Sequence, residues 1–273
     1  MNRYSLILID IDGTLLDSLN EISRNTKNLL QRLQKKGVPI TLTSARSPGE
    51  VELVARRAEI CAPIICYGGG LILDENRSII KNAGIEAGVA LAFKEFANSR
   101  FPDISVNSYL YDIWLSDNPD NEETRRLAEI HRQEPLRGDL ASAMRMTSRV
   151  HKFLCVGTPQ RVRQLQESAE QAFPTLRFTL SGAVYLEAVR RDVSRCAAMK
   201  TMQWHYHLDL SRVVVIGCCY EDADTLREAG LGIAMGNAPE SVRNAAKRVT
   251  ASNDEEGVYI ALKGLRFQPP DNL

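Results

Sequence analysis

None of the six cysteines in this 273-residue chain forms a C-x-x-C pair, which removes zinc-ribbon and thioredoxin readings on spacing alone. Formal net charge is zero and there is no long basic block, so neither a nucleic-acid surface nor a membrane-binding face is indicated. No apolar run approaches the roughly 18 residues of a membrane span, and the N-terminus has no signal-peptide layout. These absences predict a cytoplasmic protein whose thiols are reduced and mostly packed as small hydrophobes. No internal repeat or low-complexity tract occurs. Gly68-Gly69-Gly70 would need another glycine at Leu73 to complete G-x-G-x-x-G, so a dinucleotide loop is rejected. His205 and His207 form an H-x-H pair with no clear third ligand nearby.

What is present is the composition of a globular protein, 44% apolar and 25% charged, long enough for one large domain or two moderate ones. Its most informative stretch is Leu6–Ser18, where four apolar residues run into Asp10-Ile11-Asp12-Gly13-Thr14. This reads as a buried strand of a parallel sheet. Side chains alternate along a strand, so Asp10 and Asp12 are expected to point the same way at its carboxyl end, where open α/β sheets place ligands. Two carboxylates so close stay ionised together only with a cation between them. A solvated acidic turn is the plain alternative. A calcium loop fails because the glycine falls too early and Thr14 stands where an acidic residue or Asn belongs.

Along the chain, a helix is expected from Ser23 to Lys36, with Ser23 as cap and Gly37 as stop, then a strand at Val38–Thr43. Ser47-Pro48-Gly49-Glu50 is a capping box. Ser44 and Arg46 thus stand between a strand end and a helix start, a natural place to hold an anion. Pro63–Tyr67 reads as a strand, and Leu71–Leu73 with Ser78–Ile80 as a hairpin. From Gly84 the pattern changes. Helices over Ile85–Ser99, Asn121–Gln133 and Gln160–Phe173 mix with strands at Ile104–Val106, Tyr109–Ser116, Val150–Val156, Leu176–Ser181 and Val184–Val189. The first pattern returns with a helix through Cys196–Trp204, strands at Arg212–Ile216, Leu231–Met235 and Arg248–Thr250, and helices between and after them. The prediction is a doubly wound parallel-sheet α/β core, Rossmann-like, from residues 1–83 and 190–273, interrupted by an α+β domain at 84–189.

At these residues the chain resembles the haloacid dehalogenase superfamily, and within it the Cof-type phosphatases. Asp10-Ile11-Asp12-Gly13-Thr14-Leu15 fits that family's D-x-D-G-T-L motif, and Leu42–Arg46 looks like its second motif. Asp192–Cys196 resembles the third, and Gly217–Asp222 (GCCYED) stands where the family has G-D-G-x-N-D. The resemblance implies a cap domain over a phosphatase core and Mg²⁺ as cofactor. It implies Asp10 as nucleophile, Asp12 as acid and base, and Ser44 and Arg195 as phosphate-binding groups. Arg46, Gly68, Gly69 and Asn237 would form the substrate rim, and Asp10, Asp12 and Asp222 would hold the metal. The implied partner is a small phosphorylated metabolite, sugar-phosphate-like, with no nucleic acid and no membrane. Oligomeric state is not legible.

Three positions depart from the family pattern. Arg195 replaces a lysine, Gly68 replaces an asparagine, and Cys218 replaces the first aspartate of the fourth motif. A thiol with an ordinary pKa near 8.5 is mostly neutral and too soft for Mg²⁺. Either Glu221 supplies the missing carboxylate, or the site has eroded. Two functions follow: a Mg²⁺-dependent phosphatase working through an aspartyl-phosphate, or a non-catalytic relative that binds a phosphorylated ligand or a protein partner.

Overall fold

Five consecutive buried residues, Leu6–Asp10, form β1, as expected of a strand covered on both faces. The structure is a computed structural model that describes residues 3–131, 133–145 and 147–271. Arg132, inside the helix predicted over 121–133, and Met146, in the connection after it, lie outside the described residues.

After β1 come α1 (Arg24–Lys35), β2 (Ile40–Thr43), α2 (Pro48–Ala58), β3 (Ile64–Cys66), β4 (Leu71–Leu73) and β5 (Ile79–Asn82). The next stretch carries β6 (Ile85–Glu86), α3 (Ala87–Arg100), β7 (Ser105–Leu110), β8 (Ile113–Ser116), α4 (Glu122–His131), β9 (Leu136–Arg137) and α5 (Leu140–Ala143). It continues through β10 (Arg149–Val150), β11 (Lys152–Val156), α6 (Pro159–Ala172), β12 (Leu176–Leu180) and β13 (Tyr185–Arg190). The chain closes with α7 (Arg195–His205), β14 (Val213–Gly217), α8 (Ala223–Glu228), β15 (Leu231–Ala234), α9 (Glu240–Ala245), β16 (Arg248–Val249) and α10 (Gly257–Leu262). It divides into two compact units, Met1–Asn82 with Ser194–Leu273, and Ala83–Val193.

The first unit is built on an eight-stranded sheet in the order β16-β15-β14-β1-β2-β3-β4-β5. The pairs from β16 to β3 are parallel, and β4 and β5 close one edge as antiparallel strands. The chain winds outward from β1 to β3 on one side and from β14 to β16 on the other. The point where the winding reverses therefore lies between β1 and β14, and a crevice at such a point is where doubly wound sheets bind ligands. Leu6, Ile7, Leu8 and Ile9 are wholly buried, each stabilising the fold by about 1.5–3 kcal/mol.

Helix starts follow the local chemistry. Ser23 caps α1 by accepting from the Thr26 N–H. Ser47 and Glu50 form the expected reciprocal box at α2, and Ser194 accepts from the Ala197 N–H at α7.

The second unit has a six-stranded sheet, β12-β13-β11-β7-β8-β9, antiparallel except for β8 with β9. Phe93 of α3 packs against Phe153, Phe173 and Phe178 at ring separations of 4.9–5.6 Å. The strand expected over Tyr109–Ser116 is two strands with a turn between them. Tyr111 takes a left-handed φ of 51° there, a conformation costly for a bulky residue and so not signalled by its identity. The expected Val150–Val156 strand is likewise split, at His151.

Candidate active site

β1 ends at Asp10, and its parallel neighbours fix what stands around that carboxylate. Asp10 pairs in register with Thr43 of β2, and Ile9 with Ile216 of β14. Ser44 follows one strand end and Gly217-Cys218 the other, so both flank Asp10. The third neighbour is Arg195 in the first turn of α7. That helix end is brought close by Gly69, where a Cβ would lie 2.7 Å from the Ser194 carbonyl oxygen and φ is +110°. Only glycine suits both demands.

Asp10 is fully buried. Its Oδ1 accepts from Arg195 Nη1 at 2.5 Å, and its Oδ2 accepts from the Thr14 hydroxyl at 3.0 Å. The same Nη1 donates to Asp222 Oδ1 at 2.7 Å. Asp222 Oδ2 accepts the backbone N–H groups of Cys218 and Cys219, each at 3.0 Å. Room for this carboxylate comes from Gly217, whose absent Cβ would stand 2.4 Å from Asp222 Oδ2.

Burial pushes the Asp10 carboxyl well above the usual carboxylate range, with Arg195 pulling against it and Asp222 pushing with it. Burial also opposes the charge on Arg195, but Asp10 and Asp222 more than offset it and hold the guanidinium well above the ordinary arginine value. Arg195 therefore stays a cation between two carboxylates.

Asp12 sits in different surroundings, and the alternation expected from a continuing strand does not apply, because β1 stops two residues earlier. Its side chain is 50% exposed and pairs with Arg46, Nη2 to Oδ1 at 2.5 Å and Nε to Oδ2 at 3.1 Å. The Ser44 hydroxyl donates to Asp12 Oδ2 at 3.3 Å and accepts the Arg46 N–H at 3.2 Å. Ser44 and Arg46 are thus gathered at the Asp12 carboxylate.

Gly68 has nothing within 4 Å of where a side chain would begin, so the asparagine expected there by resemblance leaves open space. Asn237 braces the loop after β1, its amide N–H donating to the Gly13 carbonyl at 2.9 Å and its Oδ1 accepting the Asn253 N–H at 3.2 Å.

The fourth motif differs from expectation. Glu221 is exposed, because the turn Tyr220–Asp222 buries Asp222 and points its neighbour outward. It does not join the group of side chains that could hold a metal ion among the described residues, which is Asp10, Cys218 and Cys219, with one donor atom from each lying within 4.8 Å of the others. Cys218 Sγ lies 3.1 Å from the Asp12 carbonyl oxygen, 3.7 Å from Asp10 Oδ2 and 3.5 Å from Cys219 Sγ. The Cys219 thiol, helped by Thr14 and Arg195, draws Cys218 down to about 7 against its own burial, and Cys219 is raised in return. Cys218 is therefore more readily a thiolate than an isolated thiol.

This donor set does not fit Mg²⁺. That ion asks for six oxygens in near-octahedral array, whereas the cluster offers Asp10 Oδ2 and the Asp12 carbonyl beside two sulfurs. Both Asp222 oxygens are already engaged. Cys219, Thr14 and Gly217 join the site although residue order assigns them no role of their own. The adjacent Cys218-Cys219 pair, following a strand that runs into Gly217, was the one available signal.

A family profile for haloacid dehalogenase-like hydrolases matches residues 7–262. A relative in Haemophilus influenzae with a provisional phosphatase name is 28% identical over 265 residues, covering 95% of this chain and 97% of that one. A 5-amino-6-(5-phospho-D-ribitylamino)uracil phosphatase of Bacillus subtilis is 26% identical over 274 residues, covering 92% of this chain and 94% of that one. A crystal structure from Thermotoga maritima superposes with a TM-score of 0.89 at 26% identity, covering 98% of this chain and 100% of that one.

Proposed function

From the premise that this chain belongs to the haloacid dehalogenase-like hydrolases, we propose that it is a phosphatase hydrolysing a small phosphorylated metabolite through an aspartyl-phosphate on Asp10. The observation that carries this is the pair of carboxylates in unlike surroundings, Asp10 buried against Arg195 and Asp12 half exposed against Arg46. Environments that separate two carboxylates chemically let one serve as nucleophile and the other as acid and base.

In this reading an Asp10 oxygen attacks phosphorus while the bond from phosphorus to the leaving oxygen breaks, and Asp12 gives that oxygen its proton. Water then attacks the aspartyl-phosphate. The bond to Asp10 breaks, inorganic phosphate leaves, and the water proton returns to Asp12. Arg195 neutralises charge at Asp10, and Ser44 donates to a phosphate oxygen. Arg46 exchanges its Asp12 partner for phosphate, leaving Asp12 free to carry the proton. Members of the family generally use a divalent metal. Mg²⁺ in particular is poorly served by the residues present.

The B. subtilis relative's phosphoribityl substrate supports a metabolite with a sugar-like chain. We assign the inserted unit, expected at 84–189, the role of cap that chooses among such metabolites. The test is phosphate release from a panel of phosphorylated metabolites by the wild type and by Asp10→Asn, with acid-quenched peptide mapping. Turnover, a phosphoryl adduct on the peptide containing Asp10, and loss of both in Asp10→Asn are expected. Full turnover in Asp10→Asn would end the assignment. Phosphate binding without turnover in the wild type would return the reading to a non-catalytic binder.

A further inference from the structure

The mismatch with Mg²⁺ has a positive side, because the same atoms suit a different ion. We propose that Asp10 Oδ2, the Asp12 carbonyl oxygen and the sulfurs of Cys218 and Cys219 form a four-ligand site for a thiophilic divalent cation of the Zn²⁺ class. This deepens the phosphatase reading by naming the metal, and binding is measured without substrate, so the two can fail separately.

Geometry is the first argument. With Zn–S about 2.3 Å and Zn–O about 2.0–2.2 Å, the edges of a tetrahedron around the ion are roughly 3.3–3.8 Å. The separations around Cys218 Sγ are 3.5 Å to Cys219 Sγ, 3.7 Å to Asp10 Oδ2 and 3.1 Å to the Asp12 carbonyl. The three edges at Cys218 Sγ are therefore close to those the ion would set, and the donor atoms of Asp10, Cys218 and Cys219 all lie within 4.8 Å of one another. Neighbouring residues on a strand would point their sulfurs to opposite faces. Here β14 ends at Gly217, and the bend beyond it turns both sulfurs inward. Asp222 fixes that bend by accepting the N–H groups of both cysteines.

Chemistry is the second argument. Thiolates select zinc-like ions over magnesium, and mixed sulfur and oxygen ligation is compatible with tetrahedral Zn²⁺. Binding would release the proton of each thiol to solvent, leaving two thiolates, one carboxylate and a carbonyl on the ion. Glu221 has no part in it.

Reduced, chelator-stripped full-length protein is titrated with Co²⁺, whose thiolate charge-transfer absorption reports sulfur ligation directly. One equivalent should give that absorption, one equivalent of Zn²⁺ should abolish it, and a large excess of Mg²⁺ should not. Cys219→Ala should weaken Co²⁺ binding by on the order of tenfold or more. Cys218→Asp should lose its share of the charge-transfer band and gain Mg²⁺ binding. Cys61→Ser and Cys196→Ser, which alter thiols outside the cluster, should bind as the wild type does. Far-ultraviolet circular dichroism checks that each variant is folded. Absence of the band in the folded wild type, its survival in folded Cys218→Ser/Cys219→Ser, or its displacement by equimolar Mg²⁺ would overturn the proposal.

Discussion

Arg195→Met tests the electrostatics of the site most severely. The guanidinium is 9% exposed, and its two partners, Asp10 and Asp222, are 1% and 2% exposed. Both carboxylates accept from the same nitrogen, so removing it leaves two buried negative charges facing each other. Breaking a buried ion pair by deleting one partner costs about 3–5 kcal/mol. At an effective dielectric of about 20, two like charges some 5 Å apart repel by a further ~3 kcal/mol unless one is protonated. Burial already raises the Asp10 carboxyl, so Asp10 is where the proton goes. A carboxyl whose folded-state pKa lies above its unfolded value binds more protons when folded, so its stabilising contribution is largest at low pH and is lost as pH rises. The variant should therefore be destabilised by about 3–5 kcal/mol at pH 7 and by progressively less as pH falls toward 4.

Urea-dependent hydrogen exchange of the β1 and β14 amides reads the first unit without interference from the second. Asp10→Asn/Arg195→Met/Asp222→Asn should recover most of the loss, since replacing a buried charged triad whole is often close to neutral. That outcome would mean that the charges are kept for chemistry and not for stability. An Arg195→Met protein within about 1 kcal/mol of wild type at pH 7 would refute the reasoning.

Gly217→Ala should drive Asp222 from its seat, costing about 1–3 kcal/mol by overpacking and turnover besides; an equally active variant with unchanged melting temperature would contradict the close approach. His151 is buried in the second unit, where its Nδ1 accepts the Tyr111 N–H at 3.1 Å, and burial, helped by Arg149, pushes its pKa down to about 4. Its depressed value means that the unfolded chain takes up the proton first. The contribution to stability is therefore full above about pH 6.5 and lost between there and pH 4, up to about 3 kcal/mol. Hydrogen exchange of β7 and β11 should show that loss in the wild type and a smaller one in His151→Gln. Arg46→Gln should raise KM on the order of tenfold while changing kcat less, checked by steady-state phosphate release.

Much of this arrangement could be read from residue order because backbone geometry dictated it. The apolar runs became β1, β2, β3 and β14, and Ser23 and Ser47 became caps, since each depends only on near neighbours. The pair of carboxylates, Asp10 and Asp12, was legible in the sequence, but their unlike surroundings were not. Strand alternation was carried two residues too far, across a bend that sends Asp10 to Arg195 and Asp12 to Arg46. In the second unit, Tyr111 turns the chain with none of the glycine or asparagine that announces a left-handed residue.

The fourth motif shows the limit most clearly. Position by position, Cys218 replaced an aspartate and Glu221 stood ready to compensate, which treats each side chain as an independent donor. The turn decides otherwise. Asp222 must face inward to take the N–H groups of Cys218 and Cys219, so its neighbour Glu221 faces solvent. The same turn brings Cys219 beside Cys218, making the softened position a paired-sulfur one. The side chain that the backbone turns toward Cys218 is thus Cys219, while the nearest acid in the sequence faces solvent.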